Sequence, residues 1–551
     1  MLFISNLKSI KILLPFISFN LFLNSISAQT FNEILGRPTN KTVTISFLAD
    51  QQLDVYWEYG TVSGVYHETT ANFTAGKDLP LVAVFTGLSP DAKYYYRTRY
   101  RPAGTTISYI SGPEHTFHTQ RAPGSSFTFT IEADEHLYDK KGVRSIYQIT
   151  LANQAADHPD FMLSLGDMFG DDHHPLTITY SDMDALHKDY RQYLGEICHS
   201  VPFYFCLGNH EGESEYYLLQ TPPDNMAVYG TLARKFYFPN PYPNEFYSGN
   251  PEIEPYGIGS PENYYSWTWG DALFVVLDVY RYQSATSEKP QKWDWTLGFA
   301  QYGWLKNTLE NSQAKFKFVF AHHTRGQGRG GITTARYFEW GGYEADGTTW
   351  GFYANRPGWG KPIHQLFVDN GVNIFFQGHD HLFAHEVLDG VVYQEVPMPG
   401  DSTYEIGMLA NADAYVSDTI GGTGHIRVNV TPSGVKVDFV RAYLPADTLD
   451  GSHHNREVAF SYQTGNSSNS ANLFRNSDLI KVFPNPASNK LTIILPEDQE
   501  KVQISLFNAS GQKLTETPLK EIDIMNIPDG IYFLKIRTEN YQLNKKIMIE
   551  R

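Results

Sequence analysis

Five short blocks of this sequence gather the residue types that bind metal ions and move protons. They are Asp134-Glu135-His136, Gly166-Asp167, Gly208-Asn209-His210-Glu211, His322-His323 and Gly378-His379-Asp380-His381. Carboxylate and imidazole suit Zn, Mn and Fe. A hydrolytic centre with two such cations, about 3.5–4 Å apart, needs several of these groups. It also needs one carboxylate between the cations to offset their repulsion. Asp134 and His136 are two apart, so on an extended segment both side chains point the same way and reach one metal. His379 and His381 repeat that spacing. Gly166 lets the backbone approach closely, with Asp167 positioned as the bridge. Asn209 can ligate through its amide oxygen, and His210 can face a substrate.

The elements that must position these blocks are legible as well. Apolar, β-rich runs over 127–133, 160–165, 201–207, 315–320 and 372–376 each lead directly into one block. A further buried strand is expected over 272–279. Helical spacing appears over 144–156, through Ile146, Ile149 and Ala152, and over 301–311, through Tyr302, Leu305 and Leu309. Layered α/β folds place their sites beyond the C-terminal ends of strands. The expected fold class is therefore α/β: a layered β-sandwich core flanked by helices, with smaller β-sandwiches at either end.

The ends of the chain read differently from its middle. Lys8 and Lys11 precede an apolar run over 12–23, and Ser25-Ile26-Ser27-Ala28 offers small residues for cleavage, so 1–28 reads as a secretory signal peptide. No later segment is long and apolar enough to span a bilayer. Strand-like alternation over 42–47 and 53–59 opens a β-rich unit at 29–120. Its segment Gly87-Leu88-Ser89-Pro90-Asp91-Ala92-Lys93-Tyr94-Tyr95-Tyr96 resembles the E–F corner of a fibronectin type III domain, in which Tyr94 would pin the corner. The catalytic unit is expected over 121–445 and a linker over 446–480, Ser/Asn-rich from Ser461 onward. Residues 481–551 carry Val482-Phe483-Pro484-Asn485-Pro486-Ala487, Asp529-Gly530-Ile531-Tyr532 and Lys545-Lys546. This segment resembles the C-terminal sorting domain of type IX secretion cargo. The resemblance implies handling by that machinery and a secreted or cell-surface location.

In their order, the five blocks resemble the metallophosphoesterase signature of the calcineurin-like family. That resemblance implies a hydrolase of phosphate esters with two divalent metal ions (Mn, Zn or Fe). Asp134, His136 and His381 would bind one ion, Asn209, His322 and His379 the other, and Asp167 would bridge them. A metal-activated hydroxide would attack phosphorus in line, with His210 beside the leaving oxygen as the catalytic residue. The N-terminal module also resembles that of the purple acid phosphatases. Those enzymes carry a ligating tyrosine three residues after the second-block aspartate, where this chain has Gly170. A tyrosinate–iron colour is therefore not expected.

Bulk composition narrows the partners. The net charge of −17 disfavours nucleic acid, and a small organic phosphate ester would approach only where bound cations offset that field. The two cysteines, Cys198 and Cys206, are compatible with one bridge or with two buried thiols. Long insertions over 212–262 and 325–361 carry many aromatic residues. Among them, Trp340, Tyr343, Trp350, Phe352, Tyr353 and Trp359 either stack on a sugar or base or pack the loop onto the domain. Arg325 is a candidate either for a phosphate ligand or for a surface salt bridge, and Asp171, Asp172, His173 and His174 form a loop that is either solvated or in touch with metal. The rival functional class is a non-catalytic, glycan-binding surface protein. Against it stands a ligand set with no member missing.

Overall fold

The computed structural model describes residues 31–138, 141–171, 173–214, 221–283, 292–324, 329–406, 412–417, 419–465, 481–494, 502–508, 512–538 and 542–551. The expected signal peptide, most of the Ser/Asn-rich stretch, Asp172 and Arg325 lie outside the described residues.

The first unit is a β-sandwich. One sheet joins β1 (Phe31–Gly36), β2 (Val43–Ala49) and, at its edge, β6 (Leu81–Phe85). The other is built on β3 (Leu53–Gly60), β4 (Glu68–Thr69), β5 (Phe73–Ala75), β7 (Lys93–Pro102) and β8 (Ile110–His118). Leu53, Val55, Trp57 and Tyr59 alternate into the shared core with Ile45, Phe47 and Phe85, as a half-buried strand must. Tyr94 pins its corner by accepting the Ser89 N–H through its hydroxyl at 2.8 Å. Arg191 ties this sandwich to the next unit by donating to Asn32 Oδ1 at 2.7 Å and Ser46 Oγ at 3.0 Å.

The central unit stacks two sheets between layers of helices. The first sheet runs β11 (Phe203–Phe205), β10 (Phe161–Ser164), β9 (Phe127–Glu132), β20 (Gly424–Thr431), β21 (Gly434–Arg441) and β22 (Val458–Thr464). The second runs β12 (Ser248–Gly249), β13 (Tyr265–Trp269), β14 (Ala272–Val276), β15 (Phe316–Phe320), β16 (Ile374–Gln377), β18 (Val391–Glu395), β17 (Phe383–Leu388) and β19 (Thr419–Ile420). Strands β9, β10 and β11 are mutually parallel, as are β14, β15 and β16. Their carboxyl ends therefore open on one edge of each sheet.

Burial on both faces explains why these strands read as apolar runs rather than as alternation. Phe316, Phe318 and Phe320 point into the core between the sheets with Phe129, Phe274 and Phe376. Val319 points the other way, onto α4 (Gly298–Asn311) and α5 (Ile363–Asp369) through Leu305, Leu309, Leu366 and Phe367. On the far side, α1 (Arg144–Ala156) and α2 (Tyr180–Leu194) cover the first sheet with Tyr147, Leu151, Tyr190 and Leu194. A further helix, α3 (Met226–Tyr237), forms inside the aperiodic insertion, capped by Asn225 accepting the Val228 N–H.

Part of the expected linker over 446–480 belongs to the central unit. β22 pairs antiparallel with β21 and completes the first sheet, because its Phe460 and Tyr462 pack against the inter-sheet core. The described residues of 481–551 form two small sheets around Leu491, Ile504, Leu534 and Ile547. Cys198 and Cys206 are free, buried thiols. Among the described residues, no helix is long and apolar enough to cross a membrane.

Candidate metal centre

The loops that follow the parallel strands converge. Asp134 and His136 follow β9, Asp167 follows β10, and Asn209 and His210 follow β11. His322 follows β15, and His379 and His381 follow β16. Six of the seven expected ligands join His210 in three overlapping clusters: Asp134 with His136 and His381, His136 with Asp167 and His210, and Asp167 with His322 and His379. The seventh, Asn209, receives the Tyr280 hydroxyl on its amide oxygen at 3.4 Å, and the Tyr280 ring stands 5.8 Å from that of His322.

The two-residue spacing of the ligands works, but not through an extended strand. Asp134, His136, Asp167, His379 and His381 all have φ between 46° and 78°. This left-handed backbone costs a non-glycine residue of order 1 kcal/mol or more and persists only where the surroundings hold it. The turns therefore aim each side chain inward one by one. Glu211 does much of the holding. Its carboxylate accepts backbone N–H groups from Asp167 (3.0 Å), Met168 (2.7 Å), Phe169 (3.1 Å) and Gly208 (2.7 Å). Gly166 and Gly208 are required by the close approach of these two loops, since a Cβ on Gly166 would lie 2.3 Å from Gly208 N.

Asp167 sits in the middle. Its Oδ2 lies 3.2 Å from His322 Nε2, 3.7 Å from His210 Nε2 and 3.9 Å from His136 Nε2. Burial alone would raise its carboxyl, but the imidazoles of His322 and His210 outweigh this and hold it well below the usual range. Burial would likewise depress His322, and the Asp167 carboxylate instead holds it up at about 9. Burial pushes Asp134 up to about 6. Burial, then the neighbouring His323, pushes His379 down, leaving a neutral imidazole.

This donor set fits a first-row divalent cation. Asp134 Oδ1 is buried without a hydrogen-bond partner, 3.6 Å from His381 Nε2 and 3.8 Å from His322 Nε2. The Nε2 atoms of His136 and His381 face each other at 3.1 Å, and His322 Nε2 lies 3.2 Å from His379 Nδ1. His322 Nδ1 bonds to the Leu165 carbonyl at 2.8 Å. That turns its Nε2 inward, the orientation a ligating histidine needs. A cation between such atoms, displacing the His322 proton, would satisfy the orphaned carboxylate oxygen and the inward ring nitrogens together.

Sequence reasoning missed two tyrosines. Tyr138 continues the two-residue spacing of Asp134 and His136, and its hydroxyl bonds His210 Nδ1. Tyr280 lies beyond β14, the neighbour of β15, where the strand-end rule points. His323 stands beside the cluster, its ring 4.3 Å from His379. His173 reaches His210 with ring centres 5.0 Å apart, whereas His174 stays exposed, paired with Asp171 at 3.0 Å. In the aromatic insertion, Trp340 packs on Phe375 and Trp359 stacks on Tyr302 at 4.2 Å, while Tyr343, Trp350 and Tyr353 are exposed.

Comparison with known proteins places two of the chain's units in families. Residues 127–383 match the calcineurin-like phosphoesterase family, and residues 481–550 match the secretion system C-terminal sorting domain. None of the curated proteins compared matches the chain. Among solved structures, PhoD superposes with a TM-score of 0.54 at 16% identity, covering 79% of this chain and 88% of its own. The purple acid phosphatase PPD1 from yellow lupin (Lupinus luteus) seeds gives 0.51 at 14% identity, covering 78% and 73%. At such identities the likeness is one of fold. The chain thus carries a calcineurin-like phosphoesterase domain, which makes it a phosphoesterase hydrolase, followed by a type IX sorting domain that directs it to secretion or the cell surface.

Proposed function

We propose that this chain is an exported phosphoesterase working with two divalent metal ions, Mn, Zn or Fe, on small organic phosphate esters. The observation that carries this reading is the convergence of three overlapping carboxylate–imidazole clusters on the carboxyl ends of two sheets. Asp134, His136 and His381 would hold one ion, and Asn209, His322 and His379 the other. Asp167 would be shared between them, as its membership of two clusters supports. Residues 29–120 are a fibronectin-like module, the catalytic unit runs from 121, and residues 1–28 are removed on export.

Bound divalent ions supply Lewis acidity toward phosphoryl oxygens and an acidified water. The chain's own residues do the rest. Asp167 keeps its negative charge in the middle of the site, where positive charge must be held. His322 is fixed by Leu165 O with Nε2 inward. His210, 12% exposed at the rim of the cluster, presents Nε2 to the departing oxygen and donates a hydrogen bond as negative charge builds there. The buried ligands exclude bulk water from the charged groups, which strengthens each of these interactions.

The test is hydrolysis of nitrophenyl phosphate and of its bis-nitrophenyl diester by the purified full chain, before and after chelation. Loss on chelation and recovery with Mn or Zn is the expected result, and the ratio of the two rates ranks monoester against diester. Full activity in metal-stripped protein would refute the metal-dependent reading.

A further inference from the structure

His210 needs a defined tautomer to do what is assigned to it. Only a ring with hydrogen on Nε2 can donate to a leaving oxygen, and the hydrogen bond made by Nδ1 decides where that hydrogen sits. The loop after β10 presses against the backbone of His210: a Cβ at Gly170 would fall 1.5 Å from His210 O. Asp171, the next acid in that loop, spends its oxygens on His173 N and His174 Nδ1, both at 3.0 Å. The partner at His210 Nδ1 comes instead from the loop after β9, as the hydroxyl of Tyr138.

The surroundings make that contact directional. His210 N–H is held by Asp167 Oδ1 at 2.8 Å, which anchors the residue at its backbone. Its ring is boxed by His136 at 4.8 Å, Tyr138 at 5.9 Å and His173 at 5.0 Å between centres. With Nδ1 turned to Tyr138, Nε2 faces the Asp167 carboxylate and the open side of the cluster. Tyr138 is half-buried, and Leu137 beside it gives its N–H to Tyr190 of α2 at 2.8 Å. The phenol is therefore carried on a segment braced against a helix.

We propose that Tyr138 is a positioning residue for the hydrolysis: its O–H donates to His210 Nδ1 and so fixes the tautomer whose Nε2–H meets the leaving group. This rests on the role of His210 proposed above. No bond is made or broken by the phenol. It holds a proton in place while His210 donates.

The role predicts dependence on the leaving group. Good leaving groups need little help from a hydrogen bond, and poor ones need much. Tyr138→Phe, which removes only the hydroxyl, should lower kcat by about tenfold on an alkyl phosphate and by progressively less on phenyl and nitrophenyl phosphates, against the roughly hundredfold or larger loss from removing a general acid outright. Bound metal should be unchanged. His210→Ala should show the same trend with a larger loss, and the double variant should be no worse than His210→Ala alone, since the two act as one unit. Ring-15N spectra of histidine-labelled protein, with the His210 signal identified by its absence in His210→Ala, should show hydrogen on Nε2 in the native chain and a mixture in Tyr138→Phe. Losses uniform across leaving groups, or additive losses in the double variant, would overturn the proposal for Tyr138. If His210→Ala itself shows no leaving-group trend, the assignment of His210 fails first, and the two failures are told apart.

Discussion

The two sheets that meet at the centre contribute unlike halves. The loops after β9, β10 and β11 bring both carboxylates, the amide of Asn209 and two imidazoles, His136 and His210. The loops after β15 and β16 bring imidazoles only. The first half is also the better braced, because Glu211 gathers four backbone N–H groups within it. The second half leans on the first: His379 N–H is held by Asp134 Oδ2 at 2.7 Å, and His322 Nδ1 by Leu165 O at 2.8 Å. Carboxylates and scaffold thus come from one sheet, and imidazoles alone from the other. A change in the first half should cost the whole centre, and a change in the second only part of it.

Asp167→Asn tests the first claim and should have the largest effect. Removing the charge between the sites should empty both and bring hydrolysis to background, read by elemental analysis and by turnover. His379→Ala tests the second claim. The cluster of Asp134, His136 and His381 stays intact, so one of the two metal equivalents should remain, with activity strongly reduced but the fold unchanged. If His379→Ala lost all metal, the halves would not be independent in this way.

A smaller effect is expected from Glu211→Gln, which removes no proposed ligand but loosens the loop that carries Asp167. One Glu211 oxygen accepts from Met168 and Phe169, the other from Asp167 and Gly208. A carboxamide can serve only one of these pairs and turns an N–H₂ donor on the other. Metal affinity should fall by about ten- to a hundredfold, as when ligand-orienting partners are removed, and metal titration would measure it.

The smallest effect lies outside the centre, where the N-terminal sandwich meets the catalytic unit. The rings of His115 and His199 lie 3.9 Å apart, near the Glu33 carboxylate. Burial, then His199, pushes His115 down to about 3. An unfolded histidine titrates near 6.5, so the neutral folded form contributes stability above that pH. The contribution is lost as pH falls from there toward about 3. His115→Gln should flatten the dependence of Tm on pH in that window. An unchanged slope would place the acid sensitivity elsewhere.

Much of this was legible in the sequence for physical reasons. Strands buried on both faces must be apolar throughout, so the runs before Asp134, Asp167, Asn209, His322 and His379 stood out. The helix at 144–156 was readable as a helix, but its stripe was misassigned: Ala152 is exposed, and the buried face runs through Ile146, Tyr147, Thr150, Leu151 and Gln154, two of them polar. Three things were not legible. The left-handed turns at Asp134 and His381 come from tertiary support: Asp and His adopt φ > 0 more often than most residues, yet too rarely for residue type to announce it. Helix α3 was hidden because its buried face includes Gly230, Thr231 and Arg234, which carry no apolar period. Tyr138 and Tyr280 were hidden among 36 tyrosines, most of which serve packing, so type alone could not single them out. β22 was lost in a polar stretch because it pairs as an edge strand, with only Phe460 and Tyr462 turned to the core.

The most direct test of the central claim is anomalous X-ray diffraction from crystals of the full chain grown with Mn. The account predicts two anomalous peaks. One should lie within bonding reach of Asp134, His136 and His381, and the other within reach of Asn209, His322 and His379, with Asp167 touching both. A single peak, or peaks away from these residues, would contradict it.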